Sequence, residues 1–431
     1  MTPTEPIGAE RATTATNELL RATTRIVRAG GLTDEQCAQL LPIILAATTH
    51  TDPGNGDEED QSRPVTGWSE SPRISAAEAA ILLARYTSAC TTELRTAIKQ
   101  LSTDPVRVVR SQIASHLGSL YWTSPDLFWE LVEYYAANEP NPTLLVDTLH
   151  TLRRVPVEHA VRVVALAEQI LNRTPITTER SAVRDACMHV FCSLALHAND
   201  ATSAAILDGF INDPVTCTQD VHRLILDLSV EYTATEIVVR ERAFNLTQRS
   251  LKAIIAAMHN IEAANDGVTP WPPDVQKQFG GLLRCADEIA QRLYFASGAF
   301  ENPNQDRTFL PAEVFYEHAK PILTQLADIG HPHTAHQILE ALVHFIAIDP
   351  AGVLILAGHV VRTGSKYGYQ YEQLAEKLMV DMVELYLAEH RPLLRERPEC
   401  HTALMDILDI FVRVGWPRAH HLTYHLSDIY R

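Results

Sequence analysis

The sequence predicts an all-α protein in which short helices stack on one another, and three observations carry that prediction. Gly is sparse, at 18 in 431 residues, while Leu, Ala and Arg abound, a balance that favours helix over sheet. Proline follows an acceptor side chain at Ser124-Pro125, Asn141-Pro142, Asp213-Pro214 and Asp349-Pro350, a recurring way to start a helix. The stretch Asp104–Gly118 supplies the third. Asp104 suits an N-cap and Pro105 the first helical position, after which Val106, Val109, Ile113, Leu117 and Leu120 make one apolar stripe. Such a helix cannot bury its stripe alone, so it implies stacked neighbours.

The elements follow in order. Residues 10–29 and 33–48 read as a first helix pair, broken at Gly30-Gly31 and restarted by the Thr33-Asp34-Glu35 cap. Residues 51–73 are polar, acidic and rich in Gly and Pro, which predicts a disordered loop. Helices are then expected at 75–87, 91–102, 105–120, 125–138, 142–153, 157–172, 177–197, 200–212 and 214–232. Residues 236–265 and 272–298 differ: Phe244, Leu251 and Met258 recur every seven residues, and Gly267 with Trp271-Pro272-Pro273 makes a turn, so a long helical hairpin is expected. Gly280-Gly281 in its second arm suits close helix packing. Further helices are expected at 311–329, 332–347, 350–363, 367–389, 400–414 and 417–429. The expected organisation is a helical pair (1–50), the loop (51–73), repeats (74–233), the hairpin (234–300) and a C-terminal array (301–431).

The repeat signal is weak but internally consistent. Asp104-Pro105 and Asn141-Pro142 lie 37 positions apart, and Val109-Arg110 is echoed by Val183-Arg184 at 74, twice that period. Two-helix repeats of roughly 40 residues are the length of HEAT and armadillo units, so the fold class expected is a HEAT-like helical-repeat solenoid with a long central hairpin.

Composition narrows function. A formal net charge of −17 argues against general nucleic-acid binding, which needs clustered Lys and Arg. Seven cysteines without a C-x-x-C pair suit a reducing compartment, and the start of the chain carries no basic-then-apolar leader pattern. No apolar run approaches the ~20 residues of a membrane span, so a soluble, cytoplasmic protein is expected.

Catalytic signatures are missing: there is no G-x-S-x-G, no G-x-x-x-x-G-K-[ST] and no G-x-G-x-x-G. No cofactor is implied. Arg107, Arg110, Arg153, Arg154 and Arg184 are candidates for a concave binding face made by the second helices, including 105–120 and 177–197; arginines so placed mostly pair with acids of the next repeat. Trp122, Trp129, Tyr367 and Tyr369 are candidate interface aromatics. His331, His333 and His336 cluster around Pro332, and His421 and His425 share a helix face; either set would need further ligands to hold zinc.

Gly67-Trp68-Ser69-Glu70-Ser71-Pro72-Arg73, then Ala76-Ala77, Ala79-Ala80 and Leu82-Leu83, then Asp104-Pro105 with Val109-Arg110, form an ordered series. Together with Tyr369, Tyr371-Glu372 and Leu387–Arg391, it resembles the helical C-terminal portions of large bacterial ATP-binding signalling and phage-defence proteins, over residues 66–395. The resemblance implies a helical half that senses a trigger. Lacking a nucleotide-binding core, this chain would be a split-off or truncated half, acting in the cytosol as a non-enzymatic recognition scaffold for a separate NTPase or nuclease. The alternative is a HEAT-like nucleic-acid binder using the arginine face.

Overall fold

The computed structural model describes residues 6–54, 61–65, 71–176, 179–300 and 309–425. Helix accounts for 76% and no strand occurs among the described residues, so the chain is all-α. Trp68 and the acidic run at 57–60 lie outside the described residues, as does the side chain of His425.

Two compact units divide the chain, Met1–Leu194 and Ala195–Arg431. The division falls inside the stretch 74–233 that the sequence suggested was one block, at a wide π-type turn over Leu194–Ala198. The first unit contains α1 (Pro6–Ala29), α2 (Asp34–Ala47), α3 (Pro72–Leu83), α4 (Thr92–Ser102), α5 (Arg107–Ser115), α6 (Pro125–Asn138), α7 (Pro142–Leu152), α8 (Ala160–Arg173) and α9 (Ala182–Ser193). Alternate helices pack on each other: α3 on α5, α5 on α7 and α7 on α9 form one row, and α4, α6 and α8 form another. Each row buries the stripe that no single helix could cover. Val109, Ile113, Leu117 and Leu120 are fully buried.

Helix starts follow local chemistry, with corrections. Asn141 Oδ1 accepts from the Thr143 amide at 3.0 Å and Asp349 Oδ1 from Gly352 at 2.8 Å, so both cap their helices. Ser124 makes no cap bond, and Asp213-Pro214 opens a turn, with α11 beginning only at Thr218. The helix expected over 105–120 is shorter. Asp104 Oδ1 accepts from the Val106 amide at 2.8 Å, a turn that delays α5 to Arg107. After Ser115 the chain tightens into a 3-10 turn at Leu117–Leu120, which keeps the apolar stripe facing inward.

The second unit contains α10 (Ala201–Asn212), α11 (Thr218–Val230), α12 (Ile237–Ala264), α13 (Pro273–Ala296), α14 (Ala312–Leu326), α15 (Pro332–His344), α16 (Pro350–Ser365), α17 (Gln373–Glu389), α18 (Arg391–Glu396), α19 (Pro398–Arg413) and α20 (Pro417–His425). Here α13 packs between α11 and α15, and α12 packs on α14. The long hairpin α12–α13 is therefore built into the packing. Of its paired glycines only Gly281 is a close-approach point: a Cβ there would meet Thr218 Cγ2 at 3.0 Å, whereas one at Gly280 would meet only the end of Arg284. The hairpin tip is held by aromatic contacts. Trp271 meets Phe279 edge-on at 5.2 Å, Phe279 lies 6.3 Å from His331, and His331 stacks on Tyr367 at 5.3 Å.

Two outcomes follow. At Gly358 an added Cβ would lie 2.9 Å from Ala403 Cβ and 3.1 Å from its Cα, because α16 and α19 touch there. Gly358→Ala should cost ~1–3 kcal/mol in urea unfolding, and an unchanged midpoint would contradict this packing. Burial of His331 opposes its protonation, against the pull of Asp287 and Glu262, and its folded pKa is lowered. The unfolded chain then binds more protons below the ordinary His value of ~6.5, so stability should fall as pH drops through that value toward the lower folded pKa. His331→Phe should flatten that slope in thermal melts, and a slope left intact would assign it elsewhere.

Candidate functional site

Each candidate arginine meets a different environment. Arg110, 7% exposed, sits in the first turn of α5. Its Nε and Nη2 donate to both carboxylate oxygens of Glu139 at 3.0 Å each, and Nη1 donates to the Asp104 carbonyl at 2.7 Å. Two parallel bonds to one carboxylate match the guanidinium fork, which lets this pair exist out of water. Glu139 Oε1 also accepts from the Asn141 amide, so the pair ties the α6–α7 link to the start of α5. Arg184 is equally buried at the start of α9, with Nη1 donating to the Thr174 carbonyl at 3.0 Å.

Two further arginines join this set: Arg240, which sequence reading did not single out, and Arg73, whose place in Ser71-Pro72-Arg73 predicts a pairing with an acidic group. Val239-Arg240 repeats the Val-Arg pair at the start of α12, and Arg240 Nη1 donates to the Ala234 carbonyl at 3.0 Å, six residues back as in Arg110 to Asp104. Arg73, in the first turn of α3, donates to the His50 carbonyl at 2.6 Å and faces Asp104 at 3.0 Å. For Arg240 the recurring Val-Arg dipeptide was the available signal. These arginines are structural anchors and are not presented to a ligand. Arg107 is half-buried and donates to the Arg63 carbonyl at 3.0 Å.

Arg153 and Arg154, at the end of α7, are exposed and make no ion pair among the described residues. Their charge is felt locally. Burial lowers the His150 pKa, and Arg153, His189 and Arg154 oppose its protonation further, against Asp147. Arg154 lines a cleft of about 410 Å³ between the chain after α5 and the chain after α7. Tyr121, Trp122, Val155 and Pro156 supply its apolar wall, and Ser115, His116 and Thr151 its polar lining. Its described lining residues include no Asp or Glu, and the carboxylate of Asp147 approaches from behind Ser115, whose Oγ donates to it at 2.8 Å. Trp122 is 82% exposed and held edge-on by Tyr121 at 4.7 Å, and Tyr121 in turn packs edge-on against buried Phe128. The tryptophan thus packs one edge on its neighbour and is otherwise open to solvent.

The other aromatics are used internally. Trp129 is buried beneath the Arg162 guanidinium, 4.2 Å from the ring centroid. Tyr369 is fully buried with its hydroxyl 3.5 Å from His336 Nδ1. Tyr367 is 45% exposed, stacks on His331 and donates to Glu262 at 3.4 Å. The histidines around Pro332 diverge: His331 faces Tyr367, His333 faces Asp287 at 3.6 Å and His336 faces Glu340 at 3.5 Å. Among the described residues no group of three His, Cys, Asp or Glu side chains is placed to hold a metal. No described helix is long and apolar enough to cross a membrane. Neither protein-family models nor curated proteins match this chain.

Removing one partner of the Arg110–Glu139 pair leaves a buried charge. Arg110→Met should therefore cost ~3–5 kcal/mol in chemical denaturation, while the double substitution with Glu139→Leu should recover most of that loss. Additive losses would show that the two side chains are not coupled.

Proposed function

We propose that this chain is a non-enzymatic protein-recognition module of HEAT-like build, and that the Trp122–Arg154 cleft is its recognition site. The observation that carries the reading is an exposed, edge-packed Trp122 that lines one cleft with Arg154, on a chain of net charge −17. Trp and Arg are the side chains that most often dominate binding energy. The cleft suits a partner segment that presents a carboxylate next to an apolar side chain: the carboxylate meets Arg154 and the apolar group covers Trp122.

The resemblance over residues 66–395 supports a role as the sensing half of a bacterial cytosolic signalling or phage-defence system, with the reaction carried by a separate NTPase or nuclease. Of the five arginines a nucleic-acid reading needs, Arg110 and Arg184 are buried on protein acceptors. The exposed pair Arg153 and Arg154 offers little of the charge that phosphate binding requires.

A pull-down with the full chain from its native host should recover a stoichiometric protein partner. Trp122→Ala and Arg154→Glu should each weaken that partner's binding at least about tenfold, ~1.4 kcal/mol, with melting temperature unchanged. A partner bound equally by both variants would move the site elsewhere. A steeply salt-dependent gel shift with DNA or RNA, and no protein partner, would replace this reading with the nucleic-acid one.

A further inference from the structure

A cleft of about 260 Å³ between α1 and α3 reverses the charge balance of the chain. Asp and Glu outnumber Lys and Arg by 53 to 36 over the whole sequence, yet this cleft is lined by Arg21, Arg25 and Arg28 and by one acid, Glu78. The arginines fall at i, i+4 and i+7 of α1, so they share one side of the helix and span about 10 Å along its axis. Buried Thr24 and Ile74, with Ser75, complete the lining.

The floor is set by contacts within the protein. Thr24 Oγ1 donates to the Leu20 carbonyl at 2.9 Å and reaches the Ser75 carbonyl at 3.3 Å, and Ser75 Oγ donates to Asn17 Oδ1 at 3.3 Å. These hydroxyls serve the contact between α1 and α3, which leaves recognition to the guanidinium groups. Arg25 is exposed and is paired with no carboxylate among the described residues. Arg28 pairs with Glu78 of α3, and Arg21 Nη1 lies 3.1 Å from Glu18, a neighbour on α1 outside the lining. The Arg28 side chain is 64% exposed and that of Glu18 65%. Ion pairs this open to solvent contribute little, so an anion with better geometry exchanges for them.

We infer that this cleft binds a small phosphate monoester, its dianionic group held by Arg21, Arg25 and Arg28. Three cations facing one carboxylate leave two positive charges, which a monoester of about −1.5 to −2 at neutral pH matches and a singly charged phosphodiester does not. The guanidinium fork bonds phosphate oxygens two at a time. The volume lies just below the ~300 Å³ at which pockets for drug-sized molecules begin, so the esterified body is of glycerol size and not a nucleotide. Glu78 competes with the ligand for Arg28. Leu19 and Ile26 of α1 are half-exposed, so a phospholipid headgroup and a free metabolite are both sources of the monoester, and the test separates them. The cleft is independent of the Trp122–Arg154 site and does not rest on it.

Calorimetric titration of the full chain with glycerol 3-phosphate at low salt should give a dissociation constant of about 1 mM or below. Dimethyl phosphate, with one charge, should bind at least about tenfold more weakly. Arg25→Ala should weaken monoester binding at least about tenfold with the melting temperature unchanged, whereas Arg153→Ala, an exposed arginine elsewhere in the unit, should not. Glu78→Gln keeps the size of the side chain, removes the competing charge and should tighten binding at least about threefold, a change of sign that a damaged fold does not produce. No binding at about 10 mM monoester, or binding indifferent to both Arg25→Ala and Glu78→Gln, overturns the site. Equal binding of dimethyl phosphate or succinate overturns the phosphate monoester as its ligand. Sedimentation with vesicles containing phosphatidic acid then identifies the source. Co-sedimentation that glycerol 3-phosphate displaces places a lipid headgroup in the cleft, and calorimetric binding without co-sedimentation places a free metabolite there. Co-sedimentation that the free ester does not displace, with no calorimetric binding, is adsorption to surface charge and overturns the cleft.

Discussion

Buried arginines anchored to main-chain carbonyls of the links that precede their own helices are the interaction on which the rest of the architecture depends. Arg73 reaches the His50 carbonyl, Arg110 that of Asp104, Arg184 that of Thr174 and Arg240 that of Ala234. A link between helices carries polar backbone that must be satisfied wherever it is buried. A guanidinium offers five donors in a rigid fork, so one side chain can serve a carbonyl and a carboxylate together, as Arg110 does with Asp104 and Glu139. A lysine in its place would act as a point charge with a larger loss of hydration. The anchors lie at the starts of α3, α5, α9 and α12, and three of those helices line one row of the first unit.

This use of arginine decides where binding can occur. Side chains committed to carbonyls and carboxylates inside the protein are not available to an outside ligand, however suggestive their spacing. The cationic groups left exposed in the first unit include Arg153 and Arg154, past the end of α7, where no helix start demands them. On the reading proposed above, recognition falls at the Trp122–Arg154 cleft, where an exposed ring and an exposed cation line the same surface, and not along the row of buried arginines.

Most of the architecture was legible in the sequence. The stripe from Val109 to Leu120, the two arms around Gly267 and the cap at Asn141 are local patterns, and local patterns are what a helix needs. Two features were hidden because they depend on geometry across the fold. Asp104 looked like an N-cap, yet its carboxylate serves the Val106 amide and Arg73. Trp122, Trp129, Tyr367 and Tyr369 were indistinguishable as letters, and only their neighbours separate an open ring from one covered by Arg162 or buried beside His336. Residues 61–65 read as a solvated loop by composition, and the bonds that Asn141 makes to the Gln61 and Arg63 carbonyls leave no trace in the side-chain identities there.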